Sequence, residues 1–472
     1  MTPYANIYFI GIGGIGMSAL ARYFMREGRR VAGYDRTSTP LTTALQAEGA
    51  SVTFADGAEN IPEAFRDPAD TLVVYTPAVP TDHPQAEWFR REGFRMLKRS
   101  EMLSEVARGK YVMAVAGTHG KTTVTTLTAW LNSRAAASDE SAAGVGKADG
   151  GPGSAFLGGI SVNFGTNTIW GEGGRMAVEA DEYDRSFLRL WPDAAVITSA
   201  DPDHLDIYGT HEEMKRAFGQ FAAQVKPGGV LILKEGVDIQ LPTEGGVAVY
   251  RYALDEKSDF YASDIRLSGG GYYRFDVVCP GMVIEDCTLG IPGLINVENA
   301  VAAVSLLWAA GFDPERLRRA LAEFRGVKRR FEFYVNTPRH VYMDDYAHHP
   351  RELEAAIRSL RAMFPGRRIT AVFQPHLYTR TRDFHEGFAR SLSLADEAIL
   401  LPIYPARELP IEGVESELIA AGMTVPVAVV PKAELADEIR RRDTDVLVTF
   451  GAGDIDALCA EVARAVEEKE GR

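Results

Sequence analysis

The chain has 472 residues, 46% apolar and 25% charged, which suits about three ordinary globular domains. Lys and Arg total 51 against 65 Asp and Glu, a net charge of −14 that excludes the broad basic footprint of a nucleic-acid binder. Three cysteines (Cys279, Cys287, Cys459) without a CxxC pair point to a reducing compartment rather than a disulfide framework. Met1 to Ile10 lack a basic stretch followed by a long apolar one, so no signal peptide is expected. No apolar run approaches the roughly 20 residues of a membrane helix. The expectation is a cytoplasmic protein with neither nucleic-acid nor membrane partners.

Apolar runs alternate with helical patterns nearly throughout, which predicts α/β domains with largely parallel sheets. The first strand, Ile7-Tyr8-Phe9-Ile10, runs into glycines and a helix through Phe24. Strands at Val31–Tyr34 and Leu72–Tyr75 follow, and the series ends near Arg108-Gly109-Lys110. A second series starts with a strand at Val112–Ala116, a glycine loop and a helix from Thr122. Its later strands are Met176–Glu179, Ala195–Ser199 and Val230–Leu233, and Val297–Ala310 reads as a buried helix. A third series opens near Gly326, with strands at Val341–Met343, Ile369–Phe373, Ala398–Leu401 and Val446–Phe450, and a charged helix closes the chain. These breaks give expected domains 1–108, 109–326 and 327–472. The Ala-, Gly- and Ser-rich segment Ala135–Ser154 is expected to be a mobile loop.

Gly11-Ile12-Gly13-Gly14-Ile15-Gly16 lies between a strand and a helix. Such glycines let the backbone approach a diphosphate, which then sits on the helix N-terminus. Asp35 stands where a ribose-binding acid would be. Alone, this motif is weak, a tight strand-to-helix turn being the alternative, and it does not say which nucleotide binds. The run Gly117-Thr118-His119-Gly120-Lys121-Thr122-Thr123 is sharper. Backbone N–H groups of such a loop cradle phosphates, Lys121 neutralises the β and γ charges, and the Thr122 hydroxyl reaches Mg²⁺.

Glu179, Asp181 and Glu182 follow the strand from Met176, and Asp203-His204-Leu205-Asp206 follow the next strand. In an open parallel sheet that edge is where ligands bind, so the three acids become candidates for holding a metal, against the alternative of a solvated loop, and His204 a candidate functional residue, against a structural histidine. Asp344-Asp345-Tyr346-Ala347-His348-His349-Pro350 and Gln374-Pro375-His376-Leu377-Tyr378-Thr379-Arg380-Thr381-Arg382 also follow strands. Adjacent histidines rarely face one metal, so polar contacts to substrate are the preferred reading, and the arginines suit a carboxylate or phosphate.

Taken together these strings resemble the Mur ligase family. GIGGIGMS, GTHGKTT, EADEYDRSFL, DHLDIYG, PGLINVENAVAA, GVKRRFE, DDYAHHP, FQPHLYTRTRDF and GAGDI occur in family order over nearly the whole chain. The resemblance implies a Rossmann-like N-terminal domain, a central P-loop ATPase domain and a Rossmann-like C-terminal domain. It implies ATP-dependent ligation, with Mg²⁺, of L-alanine to the carboxylate of UDP-N-acetylmuramate through an acyl phosphate.

On that likeness Gly11, Gly13, Gly14, Gly16, Met17, Ser18 and Asp35 would hold the UDP-sugar. Residues 117–123 would hold ATP, with Asn296 and Asn299 at adenine, Asp345 at ribose and Arg330 at the γ-phosphate. Thr122, Glu179 and His204 would hold magnesium, and Lys121, Glu179, His204 and Arg330 would be catalytic. His348, His376 and Arg380 would lie near the alanine. Ile295 and Leu377 depart from the family pattern, where many members have histidine and arginine; the second departure removes a cation from the expected amino-acid site. A ligase attaching a tripeptide to the same sugar is the nearest alternative. A nicotinamide oxidoreductase would leave the loop at Lys121 unexplained, and a binding protein without turnover would leave the acids and His204 unexplained.

Overall fold

A computed structural model of the chain describes residues 3–80, 82–135, 151–202, 205–242, 244–406 and 408–470. Most of the segment expected to be a mobile loop, 136–150, lies outside the described residues, as do Asp203 and His204. The chain packs as two compact units. One comprises Met1–Ile265, Phe275–Thr288 and Glu298–Arg325; the other comprises Arg266–Arg274, Leu289–Val297 and Gly326–Arg472.

The first unit holds two open sheets. Strands β1 (Asn6–Ile10), β2 (Arg30–Tyr34), β3 (Ser51–Thr53), β4 (Thr71–Tyr75) and β5 (Arg95–Lys98) form a parallel sheet in the order β3-β2-β1-β4-β5. Strands β6 (Tyr111–Ala116), β7 (Ser154–Phe156), β8 (Thr168–Ile169), β9 (Arg175–Glu179), β10 (Ala194–Ile197), β11 (Val230–Lys234) and β12 (Ala248–Tyr252) form the second, in the order β12-β11-β10-β6-β9-β7-β8. Among the described residues, only the β7–β8 pair of that sheet is antiparallel. All five residues of β1 are buried, as a strand covered on both faces requires. Ile7 and Phe9 share one continuous core with Val112 and Ala114, so the two sheets are joined by apolar packing. In both sheets the order reverses about the central strand, which opens a crevice at the strands' C-terminal ends.

Strands β13 (Tyr261–Leu267), β14 (Tyr273–Cys279) and β15 (Met282–Thr288) make a small third sheet that the parallel-sheet reading of the sequence did not contain. In the second unit β16 (Glu332–Asn336), β17 (Val341–Asp345), β18 (Ile369–Phe373), β19 (Glu397–Leu400), β20 (Val427–Val429) and β21 (Val446–Phe450) run in the order β16-β17-β21-β18-β19-β20. Its β16 edge is antiparallel and the rest parallel. The buried helix Leu294–Ala309 and the closing helix Cys459–Glu470 fall where the pattern predicted them.

Candidate active site

Both glycine motifs sit at the C-terminal ends of central strands. After β1 the backbone turns through Gly11–Gly14 into the helix Ile15–Arg26. Gly11 and Ile12 N–H donate to the Tyr34 carbonyl at 2.7 and 3.0 Å, and Gly13 N–H donates to Asp35 Oδ2 at 2.7 Å. The other Asp35 oxygen accepts from Thr37 N–H at 3.4 Å. Asp35, expected at a ribose, therefore braces the turn itself. Asn167 donates to the Ile15 carbonyl and, at 3.0 Å, to Ser18 Oγ, tying this helix to the second sheet. Met17 is buried. A cavity of about 310 Å³ opens beside the turn, lined among others by Gly14, Gly16, Met17, Arg99, Glu179 and Asp181. Arg99 Nη2 donates to Asp181 Oδ2 at 3.1 Å.

After β6 the loop enters the helix Lys121–Ala135, with Thr122 and Thr123 in its first turn. Gly117 has φ +130°, and a Cβ there would collide with Thr198, so glycine is required. The predicted strand Ala195–Ser199 ends instead at Ile197, because Thr198 and Ser199 serve the loop. Thr198 Oγ1 donates to the His119 carbonyl at 2.5 Å, and Ser199 Oγ accepts His119 N–H at 2.9 Å and meets Thr118 Oγ1 at 2.8 Å. Asn299 lies against Gly120, 3.1 Å from where a Cβ would stand.

Lys121 Nζ donates to the Gly117 carbonyl at 2.6 Å and to Glu182 at 2.8 Å. Burial works against the lysine's charge, but the carboxylates of Glu182, Glu179 and Asp181 outweigh it and hold its pKa above the ordinary value. Burial raises the pKa of Glu182, opposed by Lys121. The Thr122 hydroxyl donates to Glu179 Oε1 at 3.1 Å, and Gly158 N–H donates to Glu179 Oε2 at 3.1 Å. The structure thus brings Lys121, Thr122 and Glu179 together. Among the described residues no group of three or more His, Cys, Asp or Glu could hold a metal ion. His204, the third expected ligand, lies outside them.

In the second unit, Arg329 and Arg330 both stand over the Tyr346 ring, at 5.2 and 5.3 Å. Arg329 also pairs with the fully buried Asp344 at 3.1 Å. Asp345 accepts Phe331 N–H at 3.0 Å and Ala347 N–H at 2.9 Å, and burial lifts its pKa to about 6. Asn296 donates to the Pro292 carbonyl at 2.7 Å. The rings of His348 and His376 lie 6.2 Å apart, and His376 stacks on Tyr404 at 5.7 Å. Burial, then the charge of Arg380 and then His348, bring His376 down to about 4, so it is neutral at pH 7. Burial also lowers the pKa of His348 against the pull of Glu352. Among the described residues, His376 Nδ1 and Arg380 Nη1 are buried without a hydrogen-bond partner, an arrangement that calls for a ligand or water. Leu377 between them has φ +73°, an uncommon strained position for a leucine, and starts the helix Tyr378–Leu392.

Family models match in chain order: "Mur ligase family, catalytic domain" over residues 6–111, "Mur ligase middle domain" over 115–307 and "Mur ligase, glutamate ligase domain" over 329–453. The chain belongs to the Mur ligase family. A UDP-N-acetylmuramate–L-alanine ligase of Phocaeicola vulgatus is 47% identical over 98% of each chain, and one of Parabacteroides distasonis is 46% identical over 97% of this chain and 96% of its own. The crystal structure of the UDP-N-acetylmuramate-alanine ligase of Thermotoga maritima matches at TM-score 0.78, with 26% identity over 99% of both chains.

Reading the motifs as Mur ligase strings located both glycine loops, Glu179 and the His376–Arg380 segment, but it missed what four charged side chains do. Glu182, one of the three acids expected to hold a metal, instead pairs with Lys121, and its place three residues after Glu179 is the sequence signal for it. Glu352 accepts His348 N–H at 2.9 Å one helical turn after the histidine pair. Arg329 was hidden beside Arg330. Arg99 carries no motif; only its place at the end of β5, a ligand-facing edge, marks it.

Proposed function

We propose that this chain joins L-alanine to the carboxylate of UDP-N-acetylmuramate at the expense of ATP, giving UDP-N-acetylmuramoyl-L-alanine, ADP and phosphate for peptidoglycan synthesis. The near full-length identity of 47% to a protein of that name carries the reading. The tripeptide-attaching alternative has less support: the murein peptide ligase of Psychrobacter arcticus is 22% identical, a likeness of fold alone. We place the enzyme in the cytoplasm, with domains at 1–108, 109–326 and 327–472; among the described residues no helix is long and apolar enough to cross a membrane.

A carboxylate does not react with an amine in neutral water. Transfer of the γ-phosphoryl group converts it to an acyl phosphate, which an amine attacks with loss of phosphate. The first step brings two anions together, so cations must be held in place beforehand. Lys121 supplies one, kept protonated by the carboxylates around it, and the N–H groups of Gly117–Thr123 supply aligned donors. Arg330 is assigned to the γ-phosphate, Asn296 and Asn299 to adenine and Asp345 to ribose. Gly11, Gly13, Gly14, Gly16, Met17, Ser18 and Asp35 form the UDP-sugar site, Asp35 acting through the backbone it braces.

Thr122 and Glu179 present adjacent hard oxygens, which fit magnesium, and His204 is assigned as a further ligand. Bound there, the ion would screen phosphate and carboxylate charge. His376, neutral at pH 7, is suited to accept a hydrogen bond from the alanine ammonium, and the unpartnered Arg380 Nη1 to pair with its carboxylate. His348 completes that site.

Mass spectrometry of products formed from ATP and UDP-N-acetylmuramate with alanine, glycine, serine, valine or a tripeptide tests the proposal. Alanine should react fastest and glycine and serine slowly, since one methyl group discriminates weakly. A tripeptide as best substrate would replace this reading with the alternative.

A further inference from the structure

Among the described residues lining the 310 Å³ cavity, Arg99 is the only lysine or arginine, while Glu179, Asp181 and Asp184 supply three carboxylates. An anionic nucleotide would meet an excess of like charge there unless that arginine is available to it. Arg99 opens the helix Arg99–Ala107 directly after β5, so the first sheet delivers it to the ligand-facing edge. Its guanidinium leans on the glycine turn: a Cβ at Gly16 would lie 2.8 Å from Nη1 and 3.0 Å from Cδ. Its present partner is Asp181, from the loop after β9, with the two side chains 21% and 35% exposed. Both halves of the pair therefore remain open to the cavity.

We propose that Arg99 binds the diphosphate of the sugar nucleotide, and that Asp181 occupies the guanidinium until the nucleotide arrives. Binding is then an exchange of one anion for another. The assignment deepens the proposed function, on which it rests for the identity of the ligand. A guanidinium fork matches two phosphate oxygens better than it matches one carboxylate oxygen, which favours the exchange. The consequence is a sign that a merely structural ion pair would not give. Removing Asp181 should strengthen nucleotide binding, because a competitor is lost.

Calorimetric titration of the full chain, without ATP, with UDP and with UDP-N-acetylmuramate tests this. Arg99→Ala should weaken both ligands by roughly 10- to 100-fold, in line with loss of a charge-assisted contact, and Arg99→Lys should recover part of that. Asp181→Asn should tighten both by about two- to fivefold, the scale of a partly exposed ion pair, and distinctly less in the Arg99→Ala background, where one like charge is removed but no guanidinium is freed. Weaker binding in Asp181→Asn, or unchanged UDP binding in both Arg99 variants, would overturn the proposal. If UDP is unaffected while UDP-N-acetylmuramate is weakened, Arg99 serves the sugar's carboxylate and the diphosphate assignment is wrong. Product formation by the parent, run in parallel, separates failure of this inference from failure of the proposed function.

Discussion

The two glycine loops of the first unit share a plan, strand to tight turn to helix N-terminus, yet they are stabilised in opposite ways. After β1 the turn holds no charged side chain of its own, and Asp35 fixes it by accepting a backbone N–H. After β6 the loop carries Lys121, buried against Glu182, and a threonine bonded to Glu179. Where an anion is only to be bound, backbone donors and a neighbouring arginine, Arg99, serve. Where phosphoryl charge shifts during reaction, an ammonium must be held charged and in place beforehand, and surrounding carboxylates do that in a low-dielectric site. On the proposed function, the contrast suits the first loop to binding and the second to chemistry.

The largest expected effect tests that division directly. Lys121→Ala should abolish ligation, a loss of at least about a thousandfold if phosphate stabilisation by this side chain resembles other buried catalytic cations, while calorimetric UDP binding stays within about twofold. Removing one partner of a buried pair destabilises by about 3–5 kcal/mol, so Lys121→Ala with Glu182→Gln serves as the folded control. Loss of UDP affinity in that control would erase the distinction between the loops.

Arg380→Ala asks whether a third ligand is handled apart from both loops. It should raise the alanine KM by roughly one to three orders of magnitude, from a loss of about 2–5 kcal/mol, with the KM for ATP and sugar nucleotide nearly unchanged. An unaltered alanine KM would move the carboxylate contact elsewhere.

Asp35→Ala should raise the KM for the sugar nucleotide about tenfold, since an orphaned backbone donor costs about 1–3 kcal/mol, and leave kcat near parent. A fall in kcat at unchanged KM would give the first loop a part in the chemistry.

The smallest effect is in pH. Glu182→Gln removes the nearest carboxylate that holds Lys121 protonated, so burial is opposed less and the lysine pKa falls. The alkaline limb of the kcat profile should move to lower pH. A shift to higher pH, or none, would show that the ammonium is held by other groups.

Much of this was legible in the sequence because parallel strands buried on both faces are continuous apolar runs, and ligand edges follow them. β1, β6, β17 and β18 were placed that way, and so were the segments carrying Lys121, Glu179 and His376. The small sheet β13–β15 was not, because strands such as Tyr273–Cys279 alternate buried and half-buried residues and contain none of the long runs the reading sought. Pairings between distant residues were equally hidden. Nothing in the string around Arg99 reports that Asp181, 82 residues later, will meet it. Asp35 was found by spacing but assigned to a ligand, whereas its oxygens meet backbone N–H groups that only the folded turn brings near.

Phosphate release from ATP, followed while UDP-N-acetylmuramate, L-alanine and the Lys121 side chain are removed one at a time, tests the central claim most directly. Sustained release should require all three, with product and phosphate formed one for one. Sustained release without the sugar nucleotide, or undiminished turnover in Lys121→Ala, would contradict the account.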